Sequence, residues 1–386
     1  MIMKFVLICV IFFLCSCNNR DNIDETMIVY DFSREINNEK ISIDDIIDTM
    51  HVIKLETNDS SLLGIIVHVE IGEEYIYILD KFQGGSVSIF SKNGSFVKRL
   101  EHGEGPKEII HPHSICYNHK NKTLIVGMSS EVKIFTSAGD YIKTYNVPFY
   151  YNDIIDYDNG YLLSQLAGQN NQKKFSIIQT DSEFKINNIF YLSEDVVECI
   201  TGYSFCPISE KCIRVFQPFN YNIYSIENDS LKLNYRVELG ENQLPMGKFD
   251  NYELFFKEFT QDKITFRGQF AEVSNYQYFE LETGGDLSII FVLLNKTTGE
   301  IRSGAIGEKM SEKIILGSNF AGTYNDYFVK VFSWEMNNYS RRDLMWENIG
   351  NTPKEVVDKI KALKEDDNPI IILYKLKDVS TNAIEL

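Results

Sequence analysis

The chain has 386 residues, of which 44% are hydrophobic and 13% aromatic. That is enough apolar material for a large core, and it argues against disorder. The formal net charge of -17 argues against nucleic-acid binding through phosphates and against adhesion to anionic lipid by charge alone, since both need a basic face.

The N-terminus reads as an export signal. A basic start at Lys4 precedes an apolar run from Phe5 to Leu14, about ten residues, which is too short for a bilayer span and suits a signal h-region. The run ends in Leu14-Cys15-Ser16-Cys17, which resembles a bacterial lipobox with Cys17 as the lipidated residue; Cys15 is atypical in its middle position. Residues 1–16 are therefore expected to be a lipoprotein signal peptide. Residues 17–26, rich in Asn and Asp, are expected to be a flexible tether, and residues 27–386 one folded domain. Acyl chains on Cys17 would anchor the protein at about 0.8 kcal/mol per buried methylene.

Abundant Tyr and Phe (22 and 26) lean toward β structure, and the chain repeats a β unit. Phe90-Ser-Lys-Asn-Gly94-Ser-Phe96 aligns with Phe135-Thr-Ser-Ala-Gly139-Asp-Tyr141, 45 residues on. Looser copies start at Ile178, Tyr224 and Leu294. In each, an apolar strand enters a polar turn and a second strand leaves it, and the Gly supplies the positive φ of a tight reversal. Strands at Glu74–Asp80 and Thr123–Gly127 precede the first two copies. A period of about 40–50 residues marks a propeller, whose blades are four-stranded antiparallel sheets.

Helical spacing at Met246–Phe259 and a capping box at Thr352-Pro353-Lys354-Glu355 predict two helical insertions. Val356, Ile360 and Leu363 share one face of the second. The apolar segment Ile370–Lys377 suits ring closure, paired with Met27–Phe32 or His51–Leu55. The expectation is an all-β fold, a six-bladed β-propeller of four-stranded antiparallel blades with short helical insertions.

The segments DIIDTMHVIKLET, EYIYILD, SIFSKNGSFVKRLEHGEGPKEI, QPFNYNIYSI and DDNPIIILYKLK, with the complete GxGPxE loop at Gly103–Glu108, resemble the bacterial six-bladed β-propeller lipoproteins, which are NHL-repeat-like or TolB-like. The resemblance runs from about Ile41 to Lys377. It implies a propeller and an envelope location, and no catalytic residue.

The loop Gly103-Glu104-Gly105-Pro106-Lys107-Glu108 lacks the spacing and following helix of a phosphate-binding P-loop, and its Pro removes a donor. It reads as a tight corner at one mouth of the channel. The six histidines all lie between residues 51 and 119. His111 and His113 are candidate metal ligands, with His102, His119, Glu104 and Glu108 nearby, although Pro112 weakens a strand there; polar loop histidines are the plainer reading. Asp80, Asp153, Asp156 and Asp158 could sit at strand ends near the channel but read as solvated turn acids. The aromatic stretches Pro148–Tyr161 and Phe216–Tyr224 suit blade packing, with sugar or peptide binding as the alternative. Beyond Cys17, Cys116, Cys199, Cys206 and Cys212 allow free thiols or one disulfide, with three pairings if all four join; the CxxC spacing of zinc sites is absent. There is no G-x-S-x-G or HExxH.

The expected function is a non-catalytic binding module on the bacterial envelope, anchored by lipid at the outer membrane on its periplasmic or surface face. It would hold a protein partner or an extracellular glycan or peptide ligand and need no cofactor. The alternative is a metal-dependent hydrolase or lyase acting on a glycan or peptide, with the ion in the channel.

Overall fold

Strands at the middle of each unit carry apolar residues on both faces, and the fold explains why. In β4 (Tyr75–Asp80), Ile76 and Ile78 pack into one hydrophobic cluster while Tyr77 and Leu79 pack into the next. Side chains alternate across a strand, so a sheet wedged between two neighbours needs apolar residues on both faces. The computed structural model describes residues 27–32, 46–80, 85–165, 175–192, 204–217, 220–244, 257–258, 261, 263–284, 289–306, 320–333 and 353–378. The signal, the tether, Cys17 and Cys199 lie outside them, as does nearly all of the insertion expected at Met246–Phe259.

Six sheets form the ring. Blade I is β3 (Ile66–Ile71), β4, β5 (Ser86–Ser91) and β6 (Phe96–Arg99). Blade II is β7 (Ser114–Asn118), β8 (Thr123–Met128), β9 (Glu131–Thr136) and β10 (Tyr141–Asn146). Blade III is β11 (Asp153–Tyr157), β12 (Gly160–Gln165), β13 (Ser176–Asp181) and β14 (Ile186–Tyr191). Blade IV is β15 (Phe205–Ser209), β16 (Cys212–Val215), β17 (Asn222–Glu227) and β18 (Ser230–Glu238), extended by β1 (Ile28–Asp31). Blade V is β19 (Ile264–Glu272), β20 (Tyr276–Thr283), β21 (Ile289–Asn295) and β22 (Ile301–Ile306). Blade VI is β23 (Phe320–Tyr324), β24 (Tyr327–Phe332), β25 (Ile370–Leu376) and β2 (Ile47–Lys54). This is the six-bladed propeller the sequence predicts. Six hydrophobic clusters occupy the six interfaces between neighbouring blades.

All five repeat copies are the hairpin between the third and fourth strands of blades I to V. Blade VI has no such hairpin because its fourth strand is β2, taken from the other end of the chain and paired antiparallel with β25. Ring closure therefore uses one of the two predicted segments. The other, β1, instead adds in parallel to the outer edge of β18, with Tyr30 stacked on Tyr235 at 5.5 Å and Phe32 buried between blades IV and V.

The predicted second helix is α1 (Lys354–Lys361). It starts one residue later than the capping box implies: Pro353 occupies the cap, and its carbonyl accepts from the Val356 and Val357 amides. Glu355 pairs with Lys359 one turn on. Val356, Ile360 and Leu363 cover the interface of blades V and VI, the face their spacing predicts. No described helix is long and apolar enough to cross a membrane.

Candidate binding site

Each inner strand starts at an interblade loop on one face, here called upper, and ends in a tight turn on the other, here called lower. The loop Gly103–Glu108 joins β6 to β7 and is an upper-face element. Its polar groups serve one another. Glu108 Oε2 accepts from the Gly105 amide at 2.8 Å, and the Gly103 amide donates to the Ile109 carbonyl at 3.0 Å. A Cβ on Gly103 would lie 2.0 Å from the Glu108 carboxylate, so the glycine makes room for that side chain. The buried Lys133 reaches from β9 and donates to the Gly105 and Glu108 carbonyls at 3.1 and 2.5 Å. Pro106 and Glu104 are exposed.

The histidines are spread out. His111 is exposed in a left-handed conformation (φ 47°), and His113 lies just before β7 with its ring 4.9 Å edge-on from Tyr151. His119 sits edge-on to Tyr117 and His102 is exposed. Among the described residues no three His, Cys, Asp or Glu side chains cluster for a metal.

Three of the four aspartates differ from the solvated turn acids the sequence suggests. Asp80 is buried and accepts from the Gly64 amide at 2.6 Å. Asp153 is buried at the top of β11; it accepts from the Ser114 hydroxyl at 2.6 Å and from the Ser204 amide at 3.2 Å, tying blade III to its two neighbours. Only Asp158 is an exposed turn acid. Burial satisfied by donors fits these carboxylates; the sequence shows the acids but not the distant donors.

Asp156 lies within β11 at the lower channel mouth. Burial pushes its carboxyl up to about 7; the amide of Asn118, donating at 2.5 Å, opposes this, and Glu210 and Glu70 add to it. Across the ring, Glu272 ends β19. Burial alone would raise its carboxyl, but Arg214 (Nε, 2.9 Å), Lys296 (3.0 Å) and Gln277 (2.9 Å) donate to it, and the two cations hold it below the usual carboxylate range. Cys116, Cys206 and Cys212 are free thiols. Burial pushes Cys116 well above its ordinary value and Cys206 up to about 12, which makes both poor nucleophiles.

Between blades II and III the lower face opens into a recess of about 210 Å³. Buried Asn118, Gly160 and Tyr161 form its floor, and exposed Lys120, Asn121, Asp158, Asn159 and Ser182 its rim. The Tyr161 ring is fixed by stacking on Phe184 at 4.5 Å and 5°. A Cβ at Gly160 would lie 1.9 Å from the Thr180 carbonyl, so only glycine lets these strands close up there. Apart from Ser182, in the turn between β13 and β14, the rim is made of two first-to-second-strand turns, Asn118–Lys122 and Asp158–Gly160, in equivalent positions of successive blades. Sequence reasoning singles out Asp158 and the stretch to Tyr161 but not Asn118, Lys120, Asn121 or Ser182, which lie in polar turns that no local pattern marks as a site. The second aromatic stretch packs: Phe216, Tyr221 and Ile223 are core residues, and the Tyr224 hydroxyl donates to the Leu192 carbonyl at 2.9 Å.

Fold and face together define a six-bladed β-propeller with a polar recess beside its channel. The chain belongs to the family described as domain of unknown function DUF4934, whose family model matches residues 27–375. Its fold is similar to that of a putative exported protein from Bacteroides fragilis, at 17% identity and a TM-score of 0.72 over 92% of this chain and 100% of that one. A DUF4221-family member from Bacteroides vulgatus aligns at 12% identity and a TM-score of 0.49 over 86% and 98% of the two chains. No curated protein matches.

Proposed function

We propose that this protein is a lipid-anchored propeller of the bacterial envelope, of the NHL-repeat-like or TolB-like lipoprotein kind. It is attached to the outer membrane through Cys17 and works as a non-catalytic binding module for an extracellular ligand or protein partner. The export name of the structurally similar Bacteroides fragilis protein and the signal-like residues 1–16 support the location. The observation that carries the binding role is the lower-face recess. Its rim offers amides, one ammonium and one carboxylate on rigid turns, groups that recognise a ligand by hydrogen bonds. Asp156 favours a second reading: a carboxyl pushed to about 7 at the channel mouth suits general acid–base catalysis near neutral pH, as an envelope hydrolase or lyase would need.

Two measurements test the proposal. Cys17→Ser should move the protein from the membrane fraction to the soluble envelope fraction; retention in the membrane refutes the anchor. The soluble form should bind an envelope component and return it chemically intact, whereas cleavage that Asp156→Asn abolishes would establish the enzymatic reading instead.

A further inference from the structure

The recess between blades II and III has the chemistry of a site for one neutral sugar ring, and we infer that a neutral pyranose is the ligand unit it holds. The inference deepens the binding-module reading and rests on it.

Size comes first. At about 210 Å³ the recess displaces about seven waters, and it is smaller than the roughly 300–1,000 Å³ of pockets for drug-sized molecules. That is the scale of a single ring.

Charge comes next. The rim carries one ammonium, Lys120, and one carboxylate, Asp158. Lys120 donates to Asn159 Oδ1 at 2.8 Å, and Lys211 lies 3.7 Å from Asp158. An anion would face Asp158, with Asp156 behind Asn118; a cation would face Lys120. A neutral polyol meets neither repulsion.

Hydrogen-bonding capacity then selects hydroxyls. Asn118 donates one amide hydrogen to Asp156 and accepts from the Asn121 backbone amide at 2.6 Å. Asn159 accepts from Lys120 and donates to Asp158. Each amide has two donor hydrogens and the ammonium three, so both donors and acceptors remain available around one small volume. Sugar hydroxyls are donors and acceptors at once and match a mixed rim of this kind. Below them lies Tyr161, buried and stacked on Phe184, so the floor is closed and the polar groups of the rim make the contacts. The rim stands on turns fixed by the blade hydrogen bonds, so little ordering is needed on binding.

The test uses ligand-observed saturation-transfer NMR on the soluble Cys17→Ser protein. The probes are glucose, galactose, mannose and N-acetylglucosamine, with anionic glucuronate and cationic glucosamine as comparators. At least one neutral sugar should bind, and more tightly than either charged one. Ser182→Trp, an exposed turn position whose new ring would fill the recess, should weaken that binding at least tenfold while leaving the thermal unfolding curve in place. Asn159→Ala, also exposed, should weaken it several-fold and decides the matter should Ser182→Trp fail to fold. Absence of binding by every neutral sugar, preference for a charged one, or binding unchanged in these variants overturns the inference. If no neutral sugar binds but an envelope component is still retained by Ser182→Trp, this inference falls and the binding-module reading stands. A neutral sugar conjugate that binds here and is returned cleaved supports the site and overturns the non-catalytic reading.

Discussion

Gly94 and Gly299 occupy the same turn in blades I and V, and alanine at each should separate backbone strain from steric clash. Both have positive φ, 91° and 73°. An L-residue there costs roughly 1–2 kcal/mol. Around Gly299 a Cβ meets nothing within 4 Å, but at Gly94 it would lie 2.0 Å from the Lys54 carbonyl oxygen and 3.3 Å from Ile53 Cγ2. Lys54 ends β2, the strand that closes the ring, and the Gly94 carbonyl accepts from the Glu56 amide at 2.8 Å. The clash therefore falls on backbone that cannot rotate away, and forced repacking of this kind adds about 1–3 kcal/mol. Gly299→Ala should cost about 1–2 kcal/mol and Gly94→Ala about 2–5. The loss of unfolded-state freedom on replacing Gly is common to both and cancels in the comparison. Urea unfolding of the soluble protein, read as ΔG from midpoint and slope, gives the difference. Equal destabilisation would refute the claim that the blade I hairpin is packed against the closing strand.

Two carboxylates should respond to pH in opposite senses. Asp156 is raised in the folded state to about 7, so its contribution to stability is full below the unfolded value, near pH 4, and is lost as pH rises through about 7. The shift corresponds to about 4 kcal/mol at full value, and solvent screening at a partly open site brings this to about 2; Asp156→Asn, which still accepts from Asn118, should stabilise the protein by about that much at pH 8 and not at pH 4, as read by urea midpoints. Glu272 is lowered, so its contribution is present above the usual carboxylate range and lost as pH falls through its folded value. Glu272→Gln strands Arg214, whose guanidinium makes a two-point contact with it, and should cost about 3 kcal/mol at pH 7, with the gap to wild type narrowing in acid.

What the sequence shows of this fold depends on how far apart the interacting residues are. The hairpins are local, so Asn93-Gly94 and Ala138-Gly139 are readable, and the closing strand is marked by its unbroken apolar run. The copy at Ile178–Ile186 is harder to read because Phe184, not Gly, takes the positive φ (63°). Its ring is buried against Tyr161 and Tyr145, and burial of an aromatic side chain, worth about 1.5–3 kcal/mol, outweighs the left-handed strain. The parallel pairing of β1 with β18 joins residues about two hundred positions apart, and a short strand with exposed Ile28 and Val29 has no pattern that names its partner. The contact of Arg214 with Glu272, 58 positions apart, is likewise invisible among so many charges.

The same distinction separates the conspicuous loop from the recess. Glycines and a proline at Gly103–Glu108 stand out because backbone geometry restricts which residues fit, and the structure spends those residues on the loop itself: Glu108 on the Gly105 amide, Lys133 on two loop carbonyls. A binding surface needs the opposite condition, polar groups held in place with hydrogen-bonding capacity left over. Turns such as Asn118–Lys122 and Asp158–Gly160 meet it because their rigidity comes from the strands on either side, which leaves Lys120, Asn121 and Asn159 to solvent. Nothing in their composition distinguishes them from any other polar turn; only the ring, which sets two equivalent turns side by side over Tyr161, makes them a site.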